Sequence, residues 1–572
     1  MVYTIKIGGE AGQGVQTIGD TLGKVFSRSG FQVFSHQDYE SRIRGGHNFY
    51  QISFSDKHIS ASRDEIDILV ALNKESVLRH EKELSQYGQV VYDSKIVKQK
   101  YDKPYFLNVP FIDFAAAVSG DKLMANSAAT GAVLGMLGMK LDILNGIIEE
   151  TFKKKGEEII KANKDTAMAG YDYAQKKCLK CSFSLPPPKN PFMLIGGNEA
   201  IALGALASGL KFYSAYPMTP STGIMNYLAS KAKEYGVIIE QAEDEISAIN
   251  MAIGASFAGV RAMTGTSGGG FALMSEGLSL AGMTETPIVI ALAQRPGPAT
   301  GLPTRTEQGD LQFALYTSHG EFARIIFAPG TPEQAFYLTN KAFDLSEKYQ
   351  VPVIILTDQY LADSQWTYEK FEMSKLRYAY YRLRGEKLNG ISNYNRHLLA
   401  ENGVSAFAVP GESRHLVVTD SDEHDEEGHI TEDPVIRNEM VNKRLDKKLT
   451  FIRREIAPPI LYGAEKPDIV LSGWGSTYGV MKEAVAALSS QIKISMLHFS
   501  EIYPFPDSIE SGYLEFLNKA SLTISVENNA TGQFARLMRT ETGFKFSMSI
   551  SKFDGRPFSV GELVERIKSA IK

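Results

Sequence analysis

The chain has 572 residues, 43% of them hydrophobic, and a net charge of −5; that length exceeds one core and implies three or four globular domains. Its 61 Lys and Arg against 66 Asp and Glu leave no basic excess for nucleic acid, and the N-terminal residues lack the charged and apolar run of a secretory signal, so a cytoplasmic protein is expected. Two cysteines, Cys178 and Cys181, are too few for a four-cysteine iron-sulfur or zinc site within this chain.

The opening "YTIKI" reads as a strand, "GGEAGQG" as a glycine turn, and the stretch from about Val15 to Arg28 as a helix. Gly9, Gly12 and Gly14 run G-x-x-G-x-G, not the dinucleotide fingerprint, so a tight turn and an anion seat at the helix start both stay open. Further strands are expected at "DILVAL" and "QVVYD". The stretch "SAATGAVLGMLGMKLDIL" contains Lys140 and Asp142 and many small residues, which suits a packed helix better than a membrane span. Residues 1–180 are expected to form one α/β domain. The segment 181–192 contains three consecutive prolines and reads as a linker. Cys178 and Cys181 form a single C-x-x-C beside it, without the further ligands a metal needs, and linker is the favoured reading.

From residue 193 to 455 the apolar runs "FYSAYP", "VIIEQA", "VRAMTG", "TPIVIALAQ", "ARIIFAP" and "VPVIILTD" alternate with helical stretches, the pattern of a mostly parallel sheet covered on both faces. A polar insertion near 365–455 includes "TDSDEHDEEGHITED", whose His424 and His429 are read as part of a solvated segment rather than a metal site. Residues 456–572 return to strand and helix alternation, a third α/β domain.

Parallel sheets place ligand groups beyond the carboxyl ends of their strands, which selects four loops: "YPMTPST", "EQAEDE", "TGTSGGG" and "AQRPGPATGLPT". Pro217 and Pro220 stiffen the first, and its Thr219, Ser221 and Thr222 supply hydroxyls and a helix N-cap. Glu243, Asp244 and Glu245 precede an Ala- and Gly-rich helix; caps account for most such acids, but the apolar helix behind them directs at least one into a cleft. Arg295 follows a strongly apolar strand and suits a bidentate carboxylate or phosphate.

With these motifs the chain resembles the α subunits of 2-oxoacid:ferredoxin oxidoreductases. "YPMTPST" is similar to the YPITP-type motif, with Met218 in place of isoleucine, and "EDEISAINMAIGAS" and "RPGPATGLPT" follow in the family's order. "GGEAGQGV...SRIRGGHN" resembles the family's γ domain fused in front, and "ENNATGQFARLMR" its C-terminal domain. The resemblance implies three α/β domains, the central one a pyrimidine-type thiamine diphosphate fold and the last transketolase C-terminal-like. It implies Glu245 as the partner of the cofactor's aminopyrimidine, with Tyr216 and Pro217 on the rim of its pocket. Arg295, Thr304 and Thr219 would hold the substrate, with Arg295 and Thr219 also serving the reacting group. Arg42, Arg44 and His47 would meet the distal carboxylate of 2-oxoglutarate, although an ordinary Arg/Gly packing loop remains open for them. The acidic run near residue 425 also resembles the 2-oxoglutarate branch. A separate β subunit is implied for the pyrophosphate and Mg2+ site and a 4Fe-4S cluster, with coenzyme A and ferredoxin as co-reactants and (αβ)2 as the assembly. No metal is expected on this chain. The competing expectations are a broad-specificity 2-oxoacid (pyruvate) enzyme and a non-catalytic binding subunit.

Overall fold

The computed structural model describes residues 2–42, 45–119, 122–178, 181, 183–186 and 190–571. It divides into two compact units, the first formed by 1–195 with 364–371 and 559–565, the second by 196–363 with 372–558 and 566–572.

The first unit is built on an eight-stranded mixed sheet in the order Phe106–Asn108, Leu84–Tyr92, Ile66–Ala71, Tyr3–Ala11, Gly45–Ser55, Gln32–Asp38, Gln365–Tyr368, Met193–Gly196. Tyr3–Ala11 pairs parallel with Ile66–Ala71 and antiparallel with Gly45–Ser55. The helix Val15–Arg28 has the bounds its sequence predicts, and buries Ile18, Leu22, Val25 and Phe26 on one stripe. The small-residue stretch is a buried helix, Ala125–Leu137, laid against Glu157–Lys177. Their contact depends on glycine: a Cβ at Gly131 would run into the carbonyl oxygen of Ala167, and one at Gly170 into that of Ala128. Gly131→Ala is therefore expected to destabilise the chain by ~1–3 kcal/mol through overpacking. Gly146→Ala, which meets nothing within 4 Å, should not; urea midpoints of the two variants decide it. Cys178 and Cys181 are joined as a disulfide, Cα atoms 5.5 Å apart, just past that second helix and against the core of the unit.

The second unit holds two sheets. Its larger sheet has seven strands in the order Glu501–Tyr503, Ile325–Phe327, Pro352–Asp358, Ile288–Gln294, Ala262–Thr266, Phe212–Ala215, Ile238–Gln241. All neighbours run parallel except Glu501–Tyr503 at the edge. The two central strands Ile288–Gln294 and Pro352–Asp358 are buried at every position, as a sheet covered on both faces requires. The strand order reverses between Phe212–Ala215 and Ala262–Thr266, and such a switch point opens a crevice at the carboxyl ends of the strands. The smaller sheet has five strands, Ile460–Gly463, Ile494–Phe499, Ile469–Trp474, Leu522–Glu527 and Met548–Ser551, parallel except at the first. Among the described residues no helix is long and apolar enough to cross a membrane.

The polar segment before residue 455 departs from a simple solvated insertion. Glu285, fully buried, receives ion pairs from Lys443 and from Lys448 at 2.5 Å, and a contact of 2.9 Å from His397 Nδ1. Arg396 donates to the carbonyl oxygens of Thr284 and Glu285, and His424 is buried with its ring 4.0 Å from that of His397. The acids nearby stay hydrated only in part: both oxygens of Glu423 accept from Nη2 of the buried Arg444, while His429 is exposed. Charge opposite in sign, brought from over a hundred residues away, converts a polar sequence into an interior one. Among the described residues no group of three or more His, Cys, Asp or Glu is placed to hold a metal ion.

Candidate active site

Four loops of the larger sheet of the second unit gather at the carboxyl ends of its strands. After Phe212–Ala215 the chain passes through Tyr216, 40% exposed, and the part-buried Pro217, Met218 and Thr219 to a cis peptide before Pro220. The expected side-chain cap is absent at the start of the helix Thr222–Tyr235, because the Ser221 hydroxyl donates back to the Met218 carbonyl at 2.8 Å. A buried Asn198 of the helix Gly197–Ala207 also donates to the Pro220 carbonyl at 2.9 Å, so the turn is held both by its own polar groups and from that neighbouring helix.

The three consecutive acids take three different roles. Asp244 caps the helix Glu245–Phe257 by accepting the Ser247 amide at 2.7 Å. Glu243 accepts the Ser247 hydroxyl at the surface. Glu245 is only 3% exposed, and its Oε1 has no hydrogen-bond partner. The turn that opens the helix Gly268–Leu273 lies against it: a Cβ at Gly270 would collide with Glu245 Oε1 and with the Thr266 hydroxyl. An orphaned carboxyl oxygen is costly in an interior, and the buried hydroxyls of Thr264 and Ser267 nearby also lack partners. This donor set fits a heteroaromatic ring with N–H and ring-nitrogen groups, the character of an aminopyrimidine.

Arg295 leaves the end of Ile288–Gln294 and donates from Nη1 to the carbonyl oxygen of Thr219 at 2.8 Å, which joins the first and last of the four loops. Burial pulls its guanidinium below the ordinary value, with the charge of Asp310 opposing. Thr304 lies in the same loop and is buried. Arg42 is exposed and paired with Glu40 at 3.1 Å in the first unit. His47, buried in the strand Gly45–Ser55, points its Nε2 at His80 Nε2, 2.7 Å away. Arg44 lies outside the described residues.

Two features escaped the sequence reading. The first is Asp310, which reads as an N-cap of the helix Leu311–Tyr316 but makes no cap bond. Its Oδ2 has no partner and lies where a Cβ on Gly268 would come within 2.5 Å, so it faces the same turn as Glu245. Burial raises its carboxyl to about 6, against the pull of Arg295. A folded value above the unfolded one means that its stabilising contribution is full below pH 4 and lost as pH rises through about 6. Asp310→Asn should then stabilise the protein by on the order of 2 kcal/mol at pH 8 and leave it unchanged at pH 4, as read from denaturation midpoints at the two values.

The second is a clamp on the same loop. Gln308 is fully buried. Its amide donates to the Asn528 carbonyl at 2.7 Å, its Oε1 accepts the Asn528 amide at 2.9 Å, its Nε2 donates to the Trp474 carbonyl at 2.8 Å, and its carbonyl accepts Asn529 Nδ2 at 3.1 Å. The stretch "ENNATGQ" thus grips the Arg295 loop, a link no sequence spacing signals because the partners are 220 residues apart.

Residues 203–443 match the family "Pyruvate flavodoxin/ferredoxin oxidoreductase, thiamine diP-bdg", and residues 4–173 match "Pyruvate ferredoxin/flavodoxin oxidoreductase". The 2-oxoacid:ferredoxin oxidoreductase subunit alpha of Sulfolobus sp is 33% identical over 99% of this chain and 96% of its own length. The 2-oxoglutarate oxidoreductase subunit KorA of Mycobacterium tuberculosis is 29% identical over 99% and 91%. The solved 2-oxoglutarate:ferredoxin oxidoreductase from Magnetococcus marinus, with 2-oxoglutarate, coenzyme A and succinyl-CoA bound, superposes with a TM-score of 0.92 at 30% identity over the whole of both chains. Matching this thiamine diphosphate-binding family model and alike over its full length to these enzymes, the chain belongs to the α subunits of the thiamine-dependent 2-oxoacid:ferredoxin oxidoreductases.

Proposed function

We propose that this α subunit acts on 2-oxoglutarate, decarboxylating it oxidatively with coenzyme A to succinyl-CoA, CO2 and reduced ferredoxin. The observation that carries the choice of substrate is the full-length likeness to the 2-oxoglutarate enzyme of Magnetococcus marinus. A β subunit would complete the site with the pyrophosphate and Mg2+ half and the 4Fe-4S cluster, in an (αβ)2 assembly.

Thiamine diphosphate, when bound, supplies a carbon nucleophile and an electron sink for decarboxylation. Within this chain, Glu245 would hold the aminopyrimidine through the carboxyl that now lacks a partner, sharing a proton with the ring nitrogen. Arg295, anchored on the Thr219 carbonyl by one nitrogen, keeps the rest of its planar fork for the substrate carboxylate. Thr219 and Thr304 would add hydroxyl contacts, and Tyr216 and Pro217 would bound the opening. Gln308 and Asn528 hold the Arg295 loop so that its guanidinium stays in place.

A broad-specificity reading is favoured by one observation, that the 33% identical Sulfolobus relative is named for 2-oxoacids in general. The two separate in one experiment: the chain copurified anaerobically with its partner, supplied with thiamine diphosphate, Mg2+ and coenzyme A, and assayed for reduction of a low-potential dye. Preference for 2-oxoglutarate over pyruvate by about tenfold or more in kcat/KM supports the first, since one extra charged contact amounts to that much. Equal use supports the second, and no dye reduction with any 2-oxoacid refutes both.

A further inference from the structure

Asp310 is fastened beside Arg295 through its backbone. Its amide donates to Gln294 Oε1 at 2.9 Å, and Gln294 directly precedes Arg295. Gln533 grips the chain on both sides of it: Nε2 donates to the Gly309 carbonyl at 2.6 Å, and Oε1 accepts the Gln312 amide at 2.9 Å. The carboxyl held in this way keeps its Oδ2 buried with no hydrogen-bond partner. The turn at 268–270 shows what surrounds it. A Cβ on Gly268 would meet Asp310, one on Gly269 would lie 4.0 Å from the Ala299 carbonyl oxygen in the Arg295 loop, and one on Gly270 would meet Glu245.

The charged groups about this carboxyl come from several elements. Arg295 faces it from the loop after Ile288–Gln294, and among the described residues it is the cation that acts on Asp310, against the burial that raises it. Glu307, on the same loop as Asp310, is raised by burial and then by the charge of Asp310. Glu245 lies beyond the glycine turn. On the neighbouring strand Asp358 stands opposite Gln294, but it is taken up by the Ser476 hydroxyl at 2.5 Å and the Leu361 amide at 3.0 Å. The helix Gln533–Thr542 packs on the helix that Asp310 precedes and leaves its Arg536 and Arg539 exposed. The charge of Asp310 is therefore set chiefly by its burial and by Arg295.

We propose that Asp310 is a positioning residue that acts through Arg295, its charge setting the pull of the guanidinium on the 2-oxoacid carboxylate, so that the substrate binds together with a proton. The proposal rests on the reading of Arg295 as the group that holds that carboxylate. A neutral Asp310 leaves Arg295 its whole charge for the substrate, and an ionised one cancels part of it. No contact between Asp310 and the substrate is needed, because charges act over several ångströms where water is scarce. The effect is mutual: an anion on Arg295 makes a second negative charge beside it harder to keep, which raises Asp310 further. Burial already holds the carboxyl at about 6, so the exchange takes place close to neutral pH.

Calorimetry on the assembled complex, run in two buffers of different protonation enthalpy, counts the protons that enter with 2-oxoglutarate. A rise of Asp310 from about 6 to about 7 on binding corresponds to tenfold coupling and takes up about half a proton at pH 6.5. Asp310→Asn should abolish that uptake. The dissociation constant should increase about fivefold or more from pH 5.5 to pH 8 in the wild type and stay within about twofold in the variant. At pH 8, Asp310→Asn should lower the KM for 2-oxoglutarate by about fivefold or more with kcat within about twofold, a split that a merely structural change in the loop would not produce. A readout without ligand is the infrared titration of Asp310 in the full-length chain, taken as the difference between wild type and Asp310→Asn. Its midpoint should lie near 6 and move up in Arg295→Met, which removes the opposing charge. Equal proton uptake in wild type and Asp310→Asn, or a midpoint that Arg295→Met leaves in place, overturns the proposal. A complex that shows both effects yet turns over no 2-oxoacid refutes the functional reading alone, since neither measurement depends on turnover.

Discussion

Glu245→Gln is expected to lower turnover of the assembled enzyme by ~10²–10⁴-fold, the range typical of losing one acid-base group, while the protein stays folded. The substitution retains the shape and burial of a side chain that is 3% exposed and removes the ability to share a proton. Its Oε1 has no partner to lose, so a structural role predicts little change in stability and none in rate. Steady-state dye reduction together with a melting curve separates the two: a normal rate removes Glu245 from the chemistry, and a lost fold would mean that the carboxylate serves packing. Glu243→Gln is the internal control. That carboxylate accepts only a serine hydroxyl at the surface, and its loss should leave the rate within a factor of about two, as for surface substitutions remote from a site.

The second large effect concerns stability. Glu285→Ala should cost about 3–5 kcal/mol, because breaking a buried pair leaves an uncompensated charge. Here two lysines lose their counter-ion at once, Lys443 and Lys448, both buried. Burial already brings Lys443 down to about 7 with the carboxylate present. Guanidinium unfolding of the full chain measures the loss. A Lys443→Met change combined with Glu285→Gln should recover part of it, because the pair couples; additive losses would show that the ion cluster is not one unit. Residue 285 also stands at φ 53, so a β-branched replacement would add backbone strain and is the wrong probe.

Much of the architecture was legible in the residues. The strands of the larger sheet in the second unit announce themselves as apolar runs bounded by turn residues, and a parallel sheet buried on both faces leaves that mark on its sequence. The helix Val15–Arg28 has sharp bounds because a glycine turn opens it and an apolar stripe of period 3.6 runs its length. Proximity of Thr219 and Arg295 was also readable, since both follow strands whose carboxyl ends must lie on one edge.

Local sequence could not divide the labour among Glu243, Asp244 and Glu245. All three are carboxylates at one helix start, and only the glycine turn at 268–270, packed against the third, assigns the roles. Likewise Asp310 has every local mark of a cap, yet tertiary packing turns it toward Gly268. The polar stretch before residue 455 looked hydrated because hydropathy counts a residue without its partners. Glu285 supplies those partners from more than a hundred residues away.

By itself, then, the sequence determined the periodic part of this protein: which segments are strands and helices, which loops crown the parallel sheet, and which family's motifs they carry. Those properties are set by neighbours within a few turns of chain, where hydrophobic period and turn chemistry act. Tertiary structure alone decided which carboxyl is left unpaired, which charges are buried together, and that "ENNATGQ" grips the Arg295 loop through Gln308. Such outcomes depend on the dielectric around a group and on hydrogen-bond partners more than two hundred residues distant, and neither quantity is a property of the local sequence.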